Sequence, residues 1–239
     1  VLVIFRQKKL SEIKNDFINN MTHEFKTPIA TISLASDSIV SPAVIGQPDK
    51  VRRFTDIIKQ ENRRMLSQVE KVLQMALLDK QNFKLNLKPV DLHAIISQAV
   101  ANIELQVQQR EGTVAMELAA TKATVLADPV HMTNIIYNLL DNANKYSPER
   151  PEISIATRNR GAVIEVMVSD KGIGLSREAQ KLVFEKFYRV PTGNLHNVKG
   201  FGLGLSYVKA MVTAHAGKVE VQSEPGRGST FTLTFPVSR

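Results

Sequence analysis

Cysteine is absent from the 239 residues. That excludes a disulfide framework, thiolate zinc sites and thiol chemistry, and points to a reducing compartment. Blocks of one charge sign are also absent. The net charge is +8, but Lys and Arg are interleaved with Asp and Glu and no recognition motif accompanies them, so no nucleic-acid partner is read from it. A membrane-spanning run is lacking: Val1-Leu2-Val3-Ile4-Phe5 is five residues against the roughly 20 a bilayer requires. With Arg6-Gln7-Lys8-Lys9 directly after it, that run reads as the cytoplasmic end of a truncated transmembrane helix, or else as an apolar N-terminal turn packed on its own protein. It is no signal peptide, because the charges follow the apolar run instead of preceding it. Finally, His23-Glu24-Phe25-Lys26-Thr27 lacks the second histidine of an H-E-x-x-H zinc site, and His93, His131, His196 and His215 have no metal partner at ligand spacing.

What is present is a chain that is 43% hydrophobic, enough for one large or two small cores. Between Lys8 and Val40 there is no glycine and one proline, Pro28. On a helical wheel Leu10, Ile13, Phe17, Met21, Phe25, Ile32, Ala35 and Ile39 fall within about 60° of one direction. His23 lies nearly opposite, with Thr27 one turn further on the same face. Ser41 to Asp49, with two prolines and a glycine, breaks this helix. A second helix follows, striped by Val51, Phe54, Ile58, Met65, Val69, Val72, Leu73 and Ala76. The two form an antiparallel hairpin over 10–82, preceded by the membrane-proximal residues 1–9. Because a lone hairpin covers one side of each stripe, two chains forming a four-helix bundle are expected, the other option being packing on the rest of the same chain.

A polar stretch closed by Pro89 is expected to be a linker, 83–90. Beyond it, over 91–239, helices near 91–111, 129–145, 176–187 and 204–215 alternate with strands such as Ile153–Thr157, Val163–Val168 and Gly228–Pro236. This predicts an α/β sandwich with helices on one face.

Asn134, Asn138 and Asn142 recur every four residues along one helical face, with Lys145 nearby. Asparagine is a poor interior helix residue; the face is either merely solvated or a hard-ligand face suited to Mg²⁺ beside a phosphate-neutralising lysine. Asp170-Lys171-Gly172-Ile173-Gly174 puts an acid at a strand end before two glycines that permit close backbone approach. Gly200-Phe201-Gly202-Leu203-Gly204-Leu205-Ser206 leads into a helix whose N-terminus can receive phosphate. Either glycine cluster alone could be an ordinary turn. No G-x-G-x-x-G loop, G-x-x-x-x-G-K-[ST] loop, H-R-D or D-F-G is present.

Taken in order, His23-Glu24-Phe25-Lys26-Thr27-Pro28, Asn138 to Pro148, Asp170-x-Gly172-x-Gly174, Phe184-Glu185-Lys186-Phe187-Tyr188-Arg189 and Gly200-x-Gly202-x-Gly204 resemble the H, N, G1, F and G2 boxes of sensor histidine kinases. The resemblance runs from about Leu10 to the end of the chain. It implies a dimerisation and histidine-phosphotransfer hairpin followed by a Bergerat-type ATP-binding domain. It further implies that His23 is the phosphoacceptor and that Glu24 orients the imidazole and takes its proton. Asn142 would bind Mg²⁺ beside Asn138, Lys145 and Tyr146 would contact phosphates, and Asp170 would accept the adenine amino group. Gly172 and Gly174 would leave room for the base, with Ser229 nearby. Gly200, Gly202 and Gly204, continuing into Leu205, would form the phosphate-side nest. Arg189 falls among the ATP-binding residues, and Pro191 to Lys199 would be a lid that Phe184 and Phe187 either anchor or merely underlie as core aromatics.

The E-x-x-T pattern implies that Thr27 positions a water for dephosphorylating a partner, so a bifunctional kinase and phosphatase is expected. Pro28 invites a local bend past His23. The implied partners are a second copy, ATP with Mg²⁺, and a response-regulator receiver domain docking near Ala30, Leu34 and Ser38; the implied location is the cytoplasmic side of a bacterial inner membrane. The rivals are a pseudokinase scaffold that binds nucleotide without transfer, and a conformational ATPase of the gyrase or chaperone type.

Overall fold

The structure, a computed structural model, describes residues 2–79, 84–190 and 201–238. These fall into two compact units, 2–79 with 201–203, and 84–190 with 204–238.

In the first unit, α1 (Leu2–Val40) and α3 (Pro48–Asp79) pack together, joined through the single-turn α2 (Pro42–Ile45). The glycine-free stretch lets α1 run unbroken through Pro28. Because proline has no N–H, the carbonyl of Glu24, four residues earlier, loses its helical donor. The turn is set by Ser41, whose hydroxyl donates to Ser38 O at 2.8 Å and whose carbonyl receives the N–H of Val44 and Ile45. The expected stripe of α1 faces inward from Ile13 to Ile39, Ala35 being fully buried. On α3 the stripe is covered only in part. Val69 and Leu73 are 40% and 58% exposed, and Leu66, on the same i, i+3, i+7 face, is 59% exposed. One neighbouring helix cannot cover both sides of a stripe this wide. Among the described residues no helix is long and apolar enough to cross a membrane.

In the second unit, β2 (Thr113–Leu118), β4 (Glu152–Arg160), β5 (Val163–Asp170), β7 (Gly228–Pro236) and β6 (Lys218–Glu224) form one sheet in the order β2-β4-β5-β7-β6. Only the β2–β4 pair is parallel. Alternate residues build the core: Ile153 and Ile155, Ile164, Val166 and Val168, Phe231, Leu233 and Phe235 are buried. Against them pack the apolar faces of α4 (Leu92–Gln108), α5 (Pro129–Lys145) and α7 (Gly204–Ala214). The opposite sheet face carries polar residues such as Arg158, paired with Glu165 at 2.6 Å, as expected of an antiparallel sheet with one face packed.

Two boundaries differ from expectation. Residues 84–90 are not a free linker: Lys88–Asp91 is strand β1, paired antiparallel with β3 (Thr124–Ala127), and Asn86 N–H donates to Asp128 Oδ2 at 3.0 Å. Pro89 is tolerated there because this sheet has only two strands, so its missing N–H lies on an edge. The helix expected over 176–187 is only Arg177–Leu182, α6. The F-box residues beyond it form turns, and Phe187 takes a left-handed φ of 68°.

Candidate functional site

On α1, His23 is exposed. Thr27, one turn on, is exposed too and donates its hydroxyl back to His23 O at 3.3 Å. Leu34, 69% exposed, lies 11 residues from His23, about three turns, and so on its face. Glu24 points elsewhere: its Oε2 accepts from Arg64 Nη2 at 3.3 Å and Gln68 Nε2 at 3.4 Å, both on α3. No hydrogen bond joins the Glu24 carboxylate to the His23 imidazole in this conformation. Arg64 also pairs with Glu61 at 3.6 Å. Sequence reasoning missed Arg64 and Gln68; their i, i+4 spacing on one face of α3 was the available signal.

In the second unit the asparagine helix is α5, fixed at its start by Asp128. Asp128 Oδ1 accepts from the N–H groups of Val130 and His131, and Pro129 occupies the first helical position. Asn134, Asn138 and Asn142 are all half-buried. Asn138 donates its amide N–H to Asn134 O at 2.7 Å, and its Oδ1 lies 2.8 Å from where a Cβ on Gly204 would sit. A side chain at Gly204, where α7 begins beside the asparagine face, would have to displace the Asn138 amide. Lys145 is paired with Asp141. Tyr146 caps the helix, its N–H donating to Asn142 O at 2.9 Å. Burial raises the Tyr146 phenol, opposed by the nearby charges of Arg189 and Lys145.

Asp170 ends β5, opposite Ile153 on one side and Ser229 on the other. Its Oδ1 accepts from Gly172 N–H at 2.8 Å. Burial pushes its carboxyl up, partly offset by hydrogen bonds from the backbone of Gly172 and Ser229. The glycines beyond it answer to the protein itself. A Cβ on Gly172 would lie 2.5 Å from Tyr146 O, and one on Gly174, whose φ is 66°, would lie 1.9 Å from Glu224 O. At both positions the direction of a side chain is taken up by the chain's own backbone, so the protein itself requires these glycines. Ser229 is buried, its hydroxyl 3.0 Å from Ser223 Oγ. Ser223 Oγ also accepts from Leu175 N–H at 2.7 Å, a tie that sequence reasoning missed.

Phe184 packs edge-on against Phe231 at 6.2 Å, a core contact. Leu205 lies half-buried in the first turn of α7. Gly202, with φ 69°, falls in the part of the chain grouped with the first unit, whereas Gly204 falls in the second. Gly200, His196 and the segment 191–199 expected as a lid lie outside the described residues. The remaining histidines have structural partners: His93 Nε2 with Thr157 Oγ1 at 2.9 Å, His131 Nδ1 with Tyr207 Oη at 2.8 Å, and His215 Nδ1 with Met211 O at 2.7 Å. Among the described residues no group of three or more His, Asp or Glu could hold a metal ion.

Known proteins match this arrangement along nearly its whole length. Residues 13–81 match the family described as His Kinase A (phospho-acceptor) domain, and residues 127–239 the Histidine kinase-, DNA gyrase B-, and HSP90-like ATPase family. The chain is 45% identical over 241 residues to Sensor protein RprX of Bacteroides fragilis, covering 99% of this chain and 46% of RprX. It is 34% identical over 228 residues to Sensor-like histidine kinase SenX3 of Mycolicibacterium smegmatis, covering 95% of this chain and 59% of SenX3. The chain thus spans about half the length of these curated relatives. Among solved structures, full-length ShkA in complex with AMPPNP superposes with a TM-score of 0.70 at 24% identity, covering 94% of this chain and 46% of ShkA. Histidine kinase ThkA in complex with the response regulator TrrA gives 0.66 at 19%, covering 98% of this chain and 64% of ThkA. At those identities the likeness is one of fold. With a phospho-acceptor hairpin carrying an exposed histidine, followed by an ATPase domain of matching topology, the chain belongs to the histidine kinases.

Proposed function

We propose that this chain transfers the γ-phosphoryl group of ATP to His23 and passes it on to an aspartate of a response-regulator receiver domain. The observation that carries the reading is the exposed His23 on the solvent face of α1, in a chain whose other unit presents Asp170 and the asparagine face of α5. In the first step an imidazole nitrogen of His23 attacks the γ-phosphorus, the bond to the β–γ bridging oxygen breaks, and ADP leaves. The proton on the other ring nitrogen goes to Glu24. For that, Glu24 must turn from the side chains of Arg64 and Gln68 that hold it here.

Asp170 would accept the adenine amino group; Lys145, Tyr146, Arg189 and the start of α7 from Gly204 to Leu205 would face the phosphates. Gly200 and Gly202 are assigned the same phosphate-side role, Ser229 a place near the base through Asp170, and 191–199 the role of a lid. The oxygen-only donor set of the α5 face fits Mg²⁺, which binds through few protein oxygens and shares phosphate ligands. Asn142 would supply the amide oxygen beside Asn138, and the ion would neutralise charge on the transferring group. The AMPPNP bound by ShkA supports a nucleotide here, and the TrrA bound by ThkA supports a receiver partner. Docking of that partner falls on the His23 face, through Ala30, Leu34 and Ser38.

The second activity assigned is dephosphorylation of that partner, with Thr27 placing the attacking water. A second copy completes the bundle, and a segment before Val1 ties the chain to the cytoplasmic side of a bacterial membrane. Incubation with γ-labelled ATP should leave acid-labile, alkali-stable label on the chain, and His23→Gln should abolish it; label persisting in that variant would refute the assignment. Thr27→Ala should keep autophosphorylation within about twofold while slowing partner dephosphorylation at least tenfold, the scale of a lost positioning contact. Equal rates in variant and wild type would leave Thr27 as a helix-surface residue.

A further inference from the structure

Arg110 follows the end of α4, outside every motif of the family. Its guanidinium holds the turn that closes α5. Nη1 donates to the carbonyl and, at 3.0 Å, to the side-chain oxygen of Asn144; Nη2 donates to Ser147 O at 2.5 Å and Glu149 O at 3.1 Å. All four acceptors are uncharged oxygens, so the cation is used for its fork geometry and for its place at a helix C-terminus, where the last carbonyls lack helical donors. Of the carbonyls just before Asn144, Asn142 O accepts from Tyr146 N–H and Ala143 O from the Ser147 hydroxyl. Arg110 is itself anchored, its N–H on Val107 O at 3.0 Å. The neighbouring Thr113 N–H reaches Pro151 O at 2.7 Å, at the far end of the same loop.

The loop so gripped runs from Asn144 to Glu149 and has Tyr146 at its centre. Tyr146 O accepts from Ile173 N–H at 3.1 Å and presses against Gly172, whose own N–H orients the Asp170 carboxylate. A displacement of residues 144–149 therefore moves the acid at the base end of the site and the Lys145–Tyr146 pair together.

We infer that Arg110 is a positioning residue for the nucleotide: by bracing the carbonyls on both sides of Tyr146 it sets the height of the Gly172 turn and of Asp170. This rests on the proposed ATP site. The test uses the whole chain and measures ATP, ADP and GTP binding with autophosphorylation kinetics. Arg110→Ala should weaken ATP and ADP by the same factor, about tenfold, and narrow the preference for ATP over GTP, while kcat at saturating ATP stays within about twofold.

Millimolar guanidinium should restore most of the affinity to Arg110→Ala. Arg110→Lys, which keeps the charge but not the fork, should recover only part of it. Unchanged affinity and base preference, or a loss confined to kcat, would overturn the inference, even with a lowered melting temperature. Asp170→Ala separates the two levels. If Asp170→Ala binds ATP as wild type does, the site reading fails and this inference with it; if Asp170→Ala is damaged while Arg110→Ala is not, only the role of Arg110 fails.

Discussion

Asp170, proposed above as the acceptor of the adenine amino group, would carry both selectivity and pH dependence. Burial raises its pKa, and backbone N–H groups of Gly172 and Ser229 partly counter this. A carboxyl whose folded pKa lies above its unfolded value favours folding below the unfolded pKa, and that contribution is lost as pH rises through the folded pKa. Ionised Asp170 is thus held at some cost, while the ionised carboxylate would accept the adenine amino group more strongly than the neutral acid does. ADP affinity should therefore fall as pH is lowered through the range in which Asp170 protonates, which lies above that of an unperturbed aspartate. Calorimetric titration of Asp170→Asn should give weaker binding that no longer varies over this window. An identical pH profile in variant and wild type would assign the titration to another group.

At the scale of the element, α5 depends on what holds its two ends. Asp128 caps the N-terminus through Val130 and His131, accepts Asn86 N–H from the segment before β1, and donates its own N–H to His215 Nε2 at 3.0 Å. Since His215 Nδ1 donates to Met211 O, its tautomer is fixed by these two bonds. Burial would raise the Asp128 carboxyl, but hydrogen bonds from Asn86, His131 and Val130, with the charge of His131, leave it lowered. A lowered folded pKa stabilises above the unfolded pKa, and that contribution is lost as pH falls through the folded value. Asp128→Ala should therefore cost about 1–2 kcal/mol at neutral pH, read by denaturant unfolding of the second unit, with the gap from wild type narrowing in acid. A gap that is constant with pH would mean that the carboxylate charge contributes nothing.

At the scale of the whole molecule, the apolar surface of the hairpin divides by face. Ile18, Ile29 and Val40, 50%, 51% and 68% exposed, recur every 11 residues and so form one seam of α1. Leu66, Val69 and Leu73 form another on α3. These seams are what a second copy would cover in a four-helix bundle. Leu66→Glu with Leu73→Glu should convert the proposed dimer into monomer by light-scattering chromatography at micromolar concentration, with helicity retained. A dimer that survives both charges would place the seam elsewhere.

The sequence by itself determined the helical hairpin, because a glycine-free 3.6-residue periodicity has only one regular solution. It also determined the nature of the second unit, because strand alternation and capping residues are local. It placed His23 opposite the buried stripe, where the structure leaves it exposed. Tertiary structure alone decided that Glu24 is held by Arg64 and Gln68, that 88–91 is a strand, and that Gly172 and Gly174 make room for Tyr146 and Glu224 backbone. Each of these joins residues far apart in the chain, and Arg110 has no pattern of its own around it. Local periodicity fixes which way a side chain points, but what it meets depends on chain folded back from elsewhere.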